Sequence, residues 1–428
     1  MKRMLLSLCF AIAIINSNAQ TWSPVGTGLN GTVNALHTDS TSNRLYATGT
    51  FTGKVAFWDG STWNVVPGYP GHLPGLSITT YHTDSLLGPY IKYVVVGSDS
   101  IYVYNGSTWT TVQGIGTGAH GISNDFGFYS LCTYLACNAN GFIDFVCAGG
   151  KYSTFNGLVE LDPNNSFNPT QIGANLGIGT GNKTLTDIKR WKDTLYLVGP
   201  YAGYIGKFTA GNNIVQVPTT TVNPTGTYVN YANVYGNEIY FSGVFSSFGG
   251  ALSPGFIGYT GSHFVAAYSG SGPWTGAEVM QTFNGYLYTA SSSSNNGMQI
   301  WNGTSFSNIT SPIGQTINCM GVYNGELYAG GNFTSPYSNI AKYNDGLTTA
   351  INKSETSNLA SVYPNPTSGK FVVNANGEAT IDVYNCLGQS VLHVVTNDEQ
   401  TINIDKAGVY FIRVLKKDKI LNSTIIIQ

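Results

Sequence analysis

The chain alternates short apolar runs with turns rich in Gly, Asn and Asp. One phrase, an apolar run of β-branched and aromatic residues that ends in small residues, occurs seven times. Apolar runs of this length, bounded by turn residues, predict β-strands rather than helices. The seven copies are LYATGTF at 45–51, YVVVGSD at 93–99, FVCAGGK at 145–151, LYLVGPY at 195–201, IYFSGVF at 239–245, LYTASSS at 287–293 and LYAGGNF at 327–333.

A second phrase follows each copy and joins two apolar, mostly aromatic, residues through a turn, as in WDGSTW at 58–63. Asp59-Gly60 in this phrase is a pair that accommodates a tight hairpin. In the first repeat the pattern predicts four strands, at 32–38, 45–51, 54–58 and 61–66. Seven such repeats, spaced by roughly forty to fifty residues, predict an all-β fold with a seven-bladed β-propeller over residues 20–345.

The two ends of the repeat region complement each other. Residues 21–26, TWSPVG, have the pattern of a fourth strand but lack the three strands that should precede it. The seventh repeat has strand patterns at 316–323, 327–333 and 339–344, and no fourth. We therefore predict that residues 21–26 supply the outer strand of the seventh sheet, which would protect its open edge.

Two local motifs carry a resemblance to known propellers. WDGSTW at 58–63 resembles the Asp-box of sialidase-like propellers. The paired glycines at 149–150 and 330–331 resemble strand ends of kelch-type blades, the repeat of the galactose oxidase central domain. The resemblance covers about residues 21–345 and implies a propeller fold rather than any one activity.

The composition changes after the repeats. Residues 346–358 are polar and predict a linker. Residues 359–428 contain short alternating strands separated by turns, which is typical of a small immunoglobulin-like β-sandwich.

Three motifs in this segment occur in a fixed order: Tyr363-Pro364-Asn365-Pro366, then Gly388-Gln389, then Gly408 and Tyr410. They resemble the type A sorting domain of type IX secretion substrates. The resemblance implies passage through the type IX translocon, followed by release or attachment at the cell surface.

The amino-terminal residues 1–19 have the pattern of a signal peptide. Lys2 and Arg3 precede an apolar run at 5–15 that is too short to span a bilayer, and small residues follow at 17–19. No later stretch of the sequence reaches spanning length. We therefore expect a monomeric protein, without a transmembrane segment, that crosses the periplasm and is secreted or held on the outer surface.

Composition excludes one class of partner. Charged residues make up 9% of the chain and the net charge is −2, whereas ordinary soluble proteins carry roughly 25% charged residues. No stripe of Lys and Arg is present to neutralise phosphates, so we expect no nucleic-acid partner.

The number and spacing of the cysteines do not indicate a disulfide framework. Of the six, Cys9 lies in the predicted signal peptide, which leaves five at irregular spacing. A two-residue turn at Asn140-Gly141 would place Tyr134, and not Cys132, opposite Cys147 in the third repeat.

Candidate ligand-binding residues lie on the predicted face formed by the connections between repeats and by the turns between second and third strands. They are His72, Asp99, His120, Asp125, Asp187, Trp274 and Glu278. Aromatic rings among hydroxyl and amide groups suit sugars or extended peptides. The sequence therefore favours a binding module for an extracellular glycan or protein, with no cofactor and no metal site.

The alternative is a carbohydrate-active enzyme that uses the mouth of the channel. A hydrolase needs two carboxylates roughly 5–10 Å apart, for which Asp187 and Glu278 are candidates. A copper-radical oxidase would need two His and two Tyr ligands, and His72 and His120 could contribute. A sialidase would need three arginines, and the repeat region contains only Arg44 and Arg190, which argues strongly against that activity.

Overall fold

The structure is a computed structural model, and the chain divides into two compact units, Met1–Gly346 and Leu347–Gln428. All regular structure in the described residues is β-strand, and these residues contain no helix, which confirms the predicted all-β class. The predicted signal peptide at 1–19 and linker at 346–358 lie outside the described residues. The described residues are 21–82, 92–113, 115, 127–138, 141–151, 158–162, 166–172, 184–192, 194–199, 205–209, 213–217, 228–267, 279–290, 298–309, 316–333, 336–344, 361–375, 377–385, 390–416 and 419–427.

The described residues of the first unit form thirty short strands. In chain order they are β1 Thr21–Pro24, β2 Val33–Asp39, β3 Arg44–Gly49, β4 Val55–Trp58, β5 Trp63–Val65, β6 Ser77–His82, β7 Lys92–Gly97, β8 Ile101–Tyr104, β9 Trp109–Thr111, β10 Gly127–Asn138, β11 Gly141–Lys151, β12 Leu158–Asp162, β13 Asn168–Gln171, β14 Asp187–Trp191, β15 Thr194–Val198, β16 Ile205–Thr209, β17 Asn213–Gln216, β18 Tyr228–Tyr235, β19 Glu238–Val244, β20 Ser247–Phe248, β21 Ala251–Leu252, β22 Phe256–Tyr259, β23 Phe264–Ala266, β24 Val279–Phe283, β25 Tyr286–Ala290, β26 Met298–Trp301, β27 Phe306–Ile309, β28 Ile317–Tyr323, β29 Glu326–Gly331 and β30 Ile340–Asn344.

These strands form seven four-stranded antiparallel sheets within the described residues. We number them along the chain: sheet 1 (β2–β5), sheet 2 (β6–β9), sheet 3 (β10–β13), sheet 4 (β14–β17), sheet 5 (β18, β19, β22, β23), sheet 6 (β24–β27) and sheet 7 (β28, β29, β30, β1). The small β20–β21 hairpin stands apart from them. The strands predicted for the first repeat match β2 to β5 to within two residues at each end.

Sheet 7 is assembled from both ends of the first unit. Strand β1 pairs antiparallel with β30, and Trp22 lies opposite Tyr343 in the register. The Trp22 side chain is 6% exposed, and its ring centroid lies 5.0 Å from that of Tyr343. The predicted pairing of residues 21–26 with the seventh repeat is therefore confirmed for β1.

Each pair of neighbouring sheets encloses its own apolar cluster. The seven clusters lie between sheets 1 and 2 (with Tyr46 and Val94), 2 and 3 (Val103 and Val146), 3 and 4 (Leu158 and Ile188), 4 and 5 (Val198 and Phe241), 5 and 6 (Phe256 and Leu287), 6 and 7 (Ala290 and Leu327), and 7 and 1 (Tyr328 and Leu45). Both faces of each sheet are thus covered, which explains why the strands read as continuous apolar runs rather than as clean alternation. The first strands of neighbouring sheets contact each other in chain order, and β28 also contacts β2.

The recurring aromatic–turn–aromatic phrase is a hairpin stabilised by its own polar residue. In sheet 2 the Asn105 Oδ1 accepts hydrogen bonds from the backbone N–H groups of Ser107 and Thr108, at 2.9 and 2.8 Å. Gly106, between Asn105 and Ser107, has a φ of 97°, a conformation that favours glycine. Asp59 and Asn302 accept the same pair of bonds in sheets 1 and 6, so this motif is explained by turn formation.

The glycine that ends several copies of the strand phrase is required by a close backbone approach. A β-bulge in the first strand brings its backbone against the end of the second strand in sheets 1, 5 and 7. A Cβ built on Gly49 would lie 2.0 Å from the Thr32 carbonyl oxygen, and one on Gly331 would lie 2.0 Å from that of Thr316. Any larger residue would therefore have to displace the backbone.

The predicted register of the third repeat is wrong. Asn138 pairs with Gly141, so the turn lies one residue earlier than the Asn140-Gly141 turn that we expected, and Cys132 lies directly opposite Cys147. The Cys132 side chain packs beside the cluster between sheets 3 and 4. Its burial raises the pKa of the thiol to about 11.

The second unit is a sandwich of two sheets. Its strands are β31 Ser361–Tyr363, β32 Lys370–Asn374, β33 Ala379–Asn385, β34 Ser390–Thr396, β35 Glu399–Asn403, β36 Gly408–Lys416 and β37 Lys419–Ile427. One sheet has the order β31-β32-β35 and the other β34-β33-β36-β37. Phe371 and Ile402 from the first sheet share one buried cluster with Ile381, Ile412 and Ile425 from the second.

Candidate functional site

A cavity of about 450 Å³ lies where the first strands of all seven sheets meet. One lining residue from each sheet is Asn34, Ser77, Ser130, Asp187, Tyr231, Met280 and Asn318. Most of these residues belong to the amino-terminal halves of their strands, next to the connections between sheets. This is the end of the sheets at which we expected a ligand.

Asp187 is the one carboxylate among the described lining residues, and three donors hold it in place. Its Oδ1 accepts hydrogen bonds from Ser130 Oγ at 3.2 Å and from its neighbour Ile188 N at 2.8 Å. Its Oδ2 accepts a hydrogen bond from Ala232 N at 3.0 Å. The carboxyl group therefore joins sheets 3, 4 and 5 at the cavity wall.

The surroundings of Asp187 act on the pKa of its carboxyl in opposite directions. Burial raises the pKa of this carboxyl, while Lys189 and the three hydrogen bonds lower it less strongly. The side chain retains some accessible surface, and it faces the cavity. A raised carboxyl pKa at a cavity wall is one of the features expected of a general acid.

Asparagines join other pairs of sheets around the same cavity. Asn34 Nδ2 donates to the Gly75 carbonyl oxygen at 2.9 Å, which joins sheet 1 to the segment that leads into sheet 2. Asn318 Nδ2 donates to the Val33 carbonyl oxygen at 3.1 Å and joins sheet 7 to sheet 1. Several polar groups of the wall thus already bond to the protein and fix its shape before any ligand enters.

These asparagines were not among the residues predicted from the sequence. The signal that could have found them is an Asn after Val or Ile near the start of a first strand, as in TVNALHT, YVNYANV and TINCMGV. The pattern is weak alone, because Asn is common throughout this chain.

Two other predicted residues, His72 and Asp99, lie on segments that contact each other, outside the described lining of the cavity. Asp99 follows Ser98 in the turn between β7 and β8 and accepts a hydrogen bond from Tyr102 Oη at 3.0 Å. Ser98 Oγ donates to the carbonyl oxygens of Leu73 and Pro74, directly after the exposed His72. The turn that carries Asp99 therefore contacts the segment that carries His72.

The remaining predicted ligand residues, His120, Asp125, Trp274 and Glu278, lie outside the described residues, as do Gly388 and Gln389 of the sorting motif. The described residues contain no group of three His, Cys, Asp or Glu side chains arranged to hold a metal ion.

Among the described residues of the sorting motifs, Asn365 bonds to the last strand of the second unit, and Tyr410 bonds locally. Asn365 Oδ1 accepts a hydrogen bond from Ile426 N at 3.0 Å, and Asn365 Nδ2 donates to the Thr424 carbonyl oxygen at 2.8 Å. Tyr410 is buried, and its hydroxyl donates to the Lys406 carbonyl oxygen at 2.9 Å. Asn365 therefore ties the turn after β31 to the last strand, β37.

The comparison with protein families decides the role of this unit. Residues 361–428 match the secretion system C-terminal sorting domain. This domain directs type IX secretion, so the protein is secreted or displayed on the cell surface and interacts with the secretion machinery. The sorting domain and the localisation that we predicted from the sequence are confirmed.

Solved structures resemble this chain in fold alone. The extracellular domain of a protein described as a hybrid two-component system from B. thetaiotaomicron aligns with a TM-score of 0.50 and 12% identity, over 84% of this chain and 45% of that chain. An extracellular domain described as that of a one-component system from the same organism gives 0.51 and 12%, over 95% and 52%. BBS1N in complex with ARL6DN gives 0.52 and 14%, over 78% and 99%. This chain thus spans about half the length of the two B. thetaiotaomicron structures.

No curated protein matches the chain. Within the part of the chain that the structure describes, no helix is long and apolar enough to cross a membrane.

Proposed function

We propose that residues 20–345 form a seven-bladed β-propeller that binds a glycan or a protein outside the cell, ahead of a linker at 346–358. The arrangement of the apolar clusters supports this architecture. An open row of seven sheets has six interfaces between neighbours, whereas this unit has a seventh cluster, between sheets 7 and 1. The contact of β28 with β2 supports the same arrangement.

The observation that carries the binding role is the cavity where the seven first strands meet. Its volume of about 450 Å³ falls in the range of small-ligand sites, roughly 300–1,000 Å³. Its wall combines apolar side chains such as Leu36 and Met280 with polar groups held by Asn34, Asn318 and Asp187. A rigid wall of this kind limits the entropy that is lost on binding. His72, Asp99, His120, Asp125, Trp274 and Glu278 would extend the site along the surrounding loops.

The second candidate function is a glycoside hydrolase with Asp187 as general acid. The observation that favours it is the raised pKa of a carboxyl that lines the cavity. The partner carboxylate would be Glu278. The three donors to Asp187 equally suit a structural role, so the binding function is preferred.

A cavity-filling substitution tests the binding function. Leu36→Trp would occupy the cavity, since Leu36 is a half-buried lining residue. Val65→Trp is the matched control, because it makes a similar increase in size at a residue that is 52% exposed on β5. We expect the full wild-type chain to bind members of a glycan array or cell-surface proteins, and Leu36→Trp alone to lose that binding.

Unchanged binding by Leu36→Trp would refute the cavity as the site. Loss of binding by Trp274→Ala, with the cavity intact, would place the contact on the surrounding loops. The hydrolase alternative predicts release of reducing sugars by the wild type and none by Asp187→Asn. The absence of release by the wild type across a panel of polysaccharides would count against it.

A further inference from the structure

A groove of about 420 Å³ opens between sheets 1 and 2, separate from the described lining of the central cavity. Its walls include the aromatic residues Tyr46, Phe57 and Tyr104 and the apolar residues Val66 and Val94. Two cations, Arg44 and Lys92, also line it. A groove that combines aromatic side chains with two cations differs from the central cavity, whose one described lining carboxylate is Asp187.

The aromatic walls hold both cations in place. The Arg44 guanidinium lies over the Phe57 ring, with its central carbon 4.0 Å from the ring centroid. The Lys92 ammonium lies 4.5 Å from the centroid of Tyr46. Cation–π contacts of this kind orient a cation without neutralising its charge.

The two cations of the groove differ in their described ion pairs. Lys92 Nζ forms an ion pair with Asp39 Oδ2 at 2.9 Å and donates to Ser42 Oγ at 2.6 Å. Arg44 has no carboxylate within ion-pair distance among the described residues. Its one side-chain hydrogen bond there is a long one, 3.5 Å, to Tyr46 Oη. Within the described part of the chain, the positive charge of Arg44 therefore has no carboxylate partner beside these partly apolar walls.

Other sheets do not repeat this arrangement. Arg44 and Lys92 are the first residues of the second strands of sheets 1 and 2. The equivalent residues of sheets 5 and 7 are Glu238 and Glu326, and Glu326 pairs with Lys342 at 2.9 Å. The cations are thus a local feature of this groove and not a requirement of the repeat.

We propose that the groove binds an acidic saccharide, with the carboxylate or sulfate of one sugar on Arg44 and an apolar ring face against the aromatic wall. The planar guanidinium presents two parallel N–H donors, which match the paired oxygens of either anion. The part of Tyr104 that remains exposed offers a surface for the C–H face of a sugar. The volume exceeds the needs of a simple inorganic anion, and it accommodates one or two sugar rings.

The test measures binding to the full chain by isothermal titration calorimetry. The probes are trigalacturonate for the carboxylate, a sulfated galactose disaccharide for the sulfate, and cellotriose as the neutral control. We expect an acidic probe to bind at least about tenfold more tightly than cellotriose, and Arg44→Gln to remove at least about tenfold of that affinity. Arg190→Gln, the same substitution on an exposed residue of β14, should leave the affinity unchanged.

Arg44→Lys keeps the positive charge but loses the bidentate geometry of the guanidinium. This variant should bind the acidic probe more weakly than the wild type and more tightly than Arg44→Gln. Thermal unfolding of each variant verifies that it is folded. Three results would overturn the proposal: no preference for acidic over neutral probes, equal losses for Arg44→Gln and Arg190→Gln, or equally tight binding of an acidic peptide. Because Leu36→Trp fills the other cavity, retained acidic-saccharide binding by that variant would separate this site from the central one.

Discussion

Strand β1 completes sheet 7. Substitution of Trp22, which lies on β1, measures how much this strand stabilises the first unit. The Trp22 side chain is 6% exposed and belongs to the apolar cluster between sheets 6 and 7. Its indole Nε1 has no hydrogen-bond partner among the described residues. Trp22→Ala therefore removes apolar packing without breaking a side-chain hydrogen bond, and we expect it to lower the free energy of unfolding by about 3–5 kcal/mol.

The assay is urea unfolding followed by far-ultraviolet circular dichroism, which does not depend on the tryptophan that is removed. Trp63→Ala is the matched control. Trp63 lies on β5, the outer strand of sheet 1, where its side chain is only half-buried and donates to the Val25 carbonyl oxygen at 3.2 Å. Trp63→Ala should lower the free energy of unfolding less than Trp22→Ala does, because less of the Trp63 side chain is buried. If Trp22→Ala costs no more than Trp63→Ala, β1 does not stabilise sheet 7 in the way that we infer.

Three further predictions follow from individual contacts. Burial raises the pKa of Asp187 above its value in the unfolded chain, so its stabilising contribution is full below the unfolded pKa and is lost as the pH rises through the folded pKa. The difference in unfolding free energy between the wild type and Asp187→Asn should therefore shrink with rising pH, by at most about 1.4 kcal/mol per pH unit; denaturation at a series of pH values checks this, and a constant difference would contradict it. Gly331→Ala should lower the melting temperature markedly, because its Cβ would lie 2.0 Å from the Thr316 carbonyl oxygen. The control Gly321→Ala should change the melting temperature little, because its Cβ would have no neighbour closer than 3.4 Å. Similar melting temperatures for the two variants would refute the close approach. Deletion of residues 359–428 should abolish appearance of the protein outside the cell, as measured by immunoblots of cell fractions, and normal amounts outside would contradict the sorting role.

The sequence was sufficient to predict the strands and their order, because each strand and turn is determined by nearby residues. The Asp59-Gly60 turn and the apolar run at 45–51 each indicate a local conformation, and the incomplete first and seventh repeats indicate how β1 pairs. The register at Cys132 was wrong because hairpins with alternative turn positions preserve the same apolar pattern.

The candidate sites were less predictable, since they depend on distances between sheets. Asp187 could be proposed as a polar residue near the ligand face. Its bonds to Ser130 and Ala232, however, come from neighbouring sheets whose approach is set by packing of the whole unit. Arg44 was noted only as one of too few arginines for a sialidase. Its position over the Phe57 ring is seen only in the structure, because the sequence does not show which side chains of neighbouring strands lie next to each other.

The pairing of β1 with β30 has a consequence for the order in which the chain can fold. Ser23 bonds to the backbone of Lys342, 319 residues further along the chain, and closing a loop of that length costs roughly 5 kcal/mol in chain entropy. A chain that emerges amino terminus first presents β1 at the outset and its partner only after all other sheets have emerged. Until then β1 is an unpaired strand, and β30 in turn has an open edge. Sheet 7 can therefore be completed only after the whole first unit has emerged. The sorting domain emerges next.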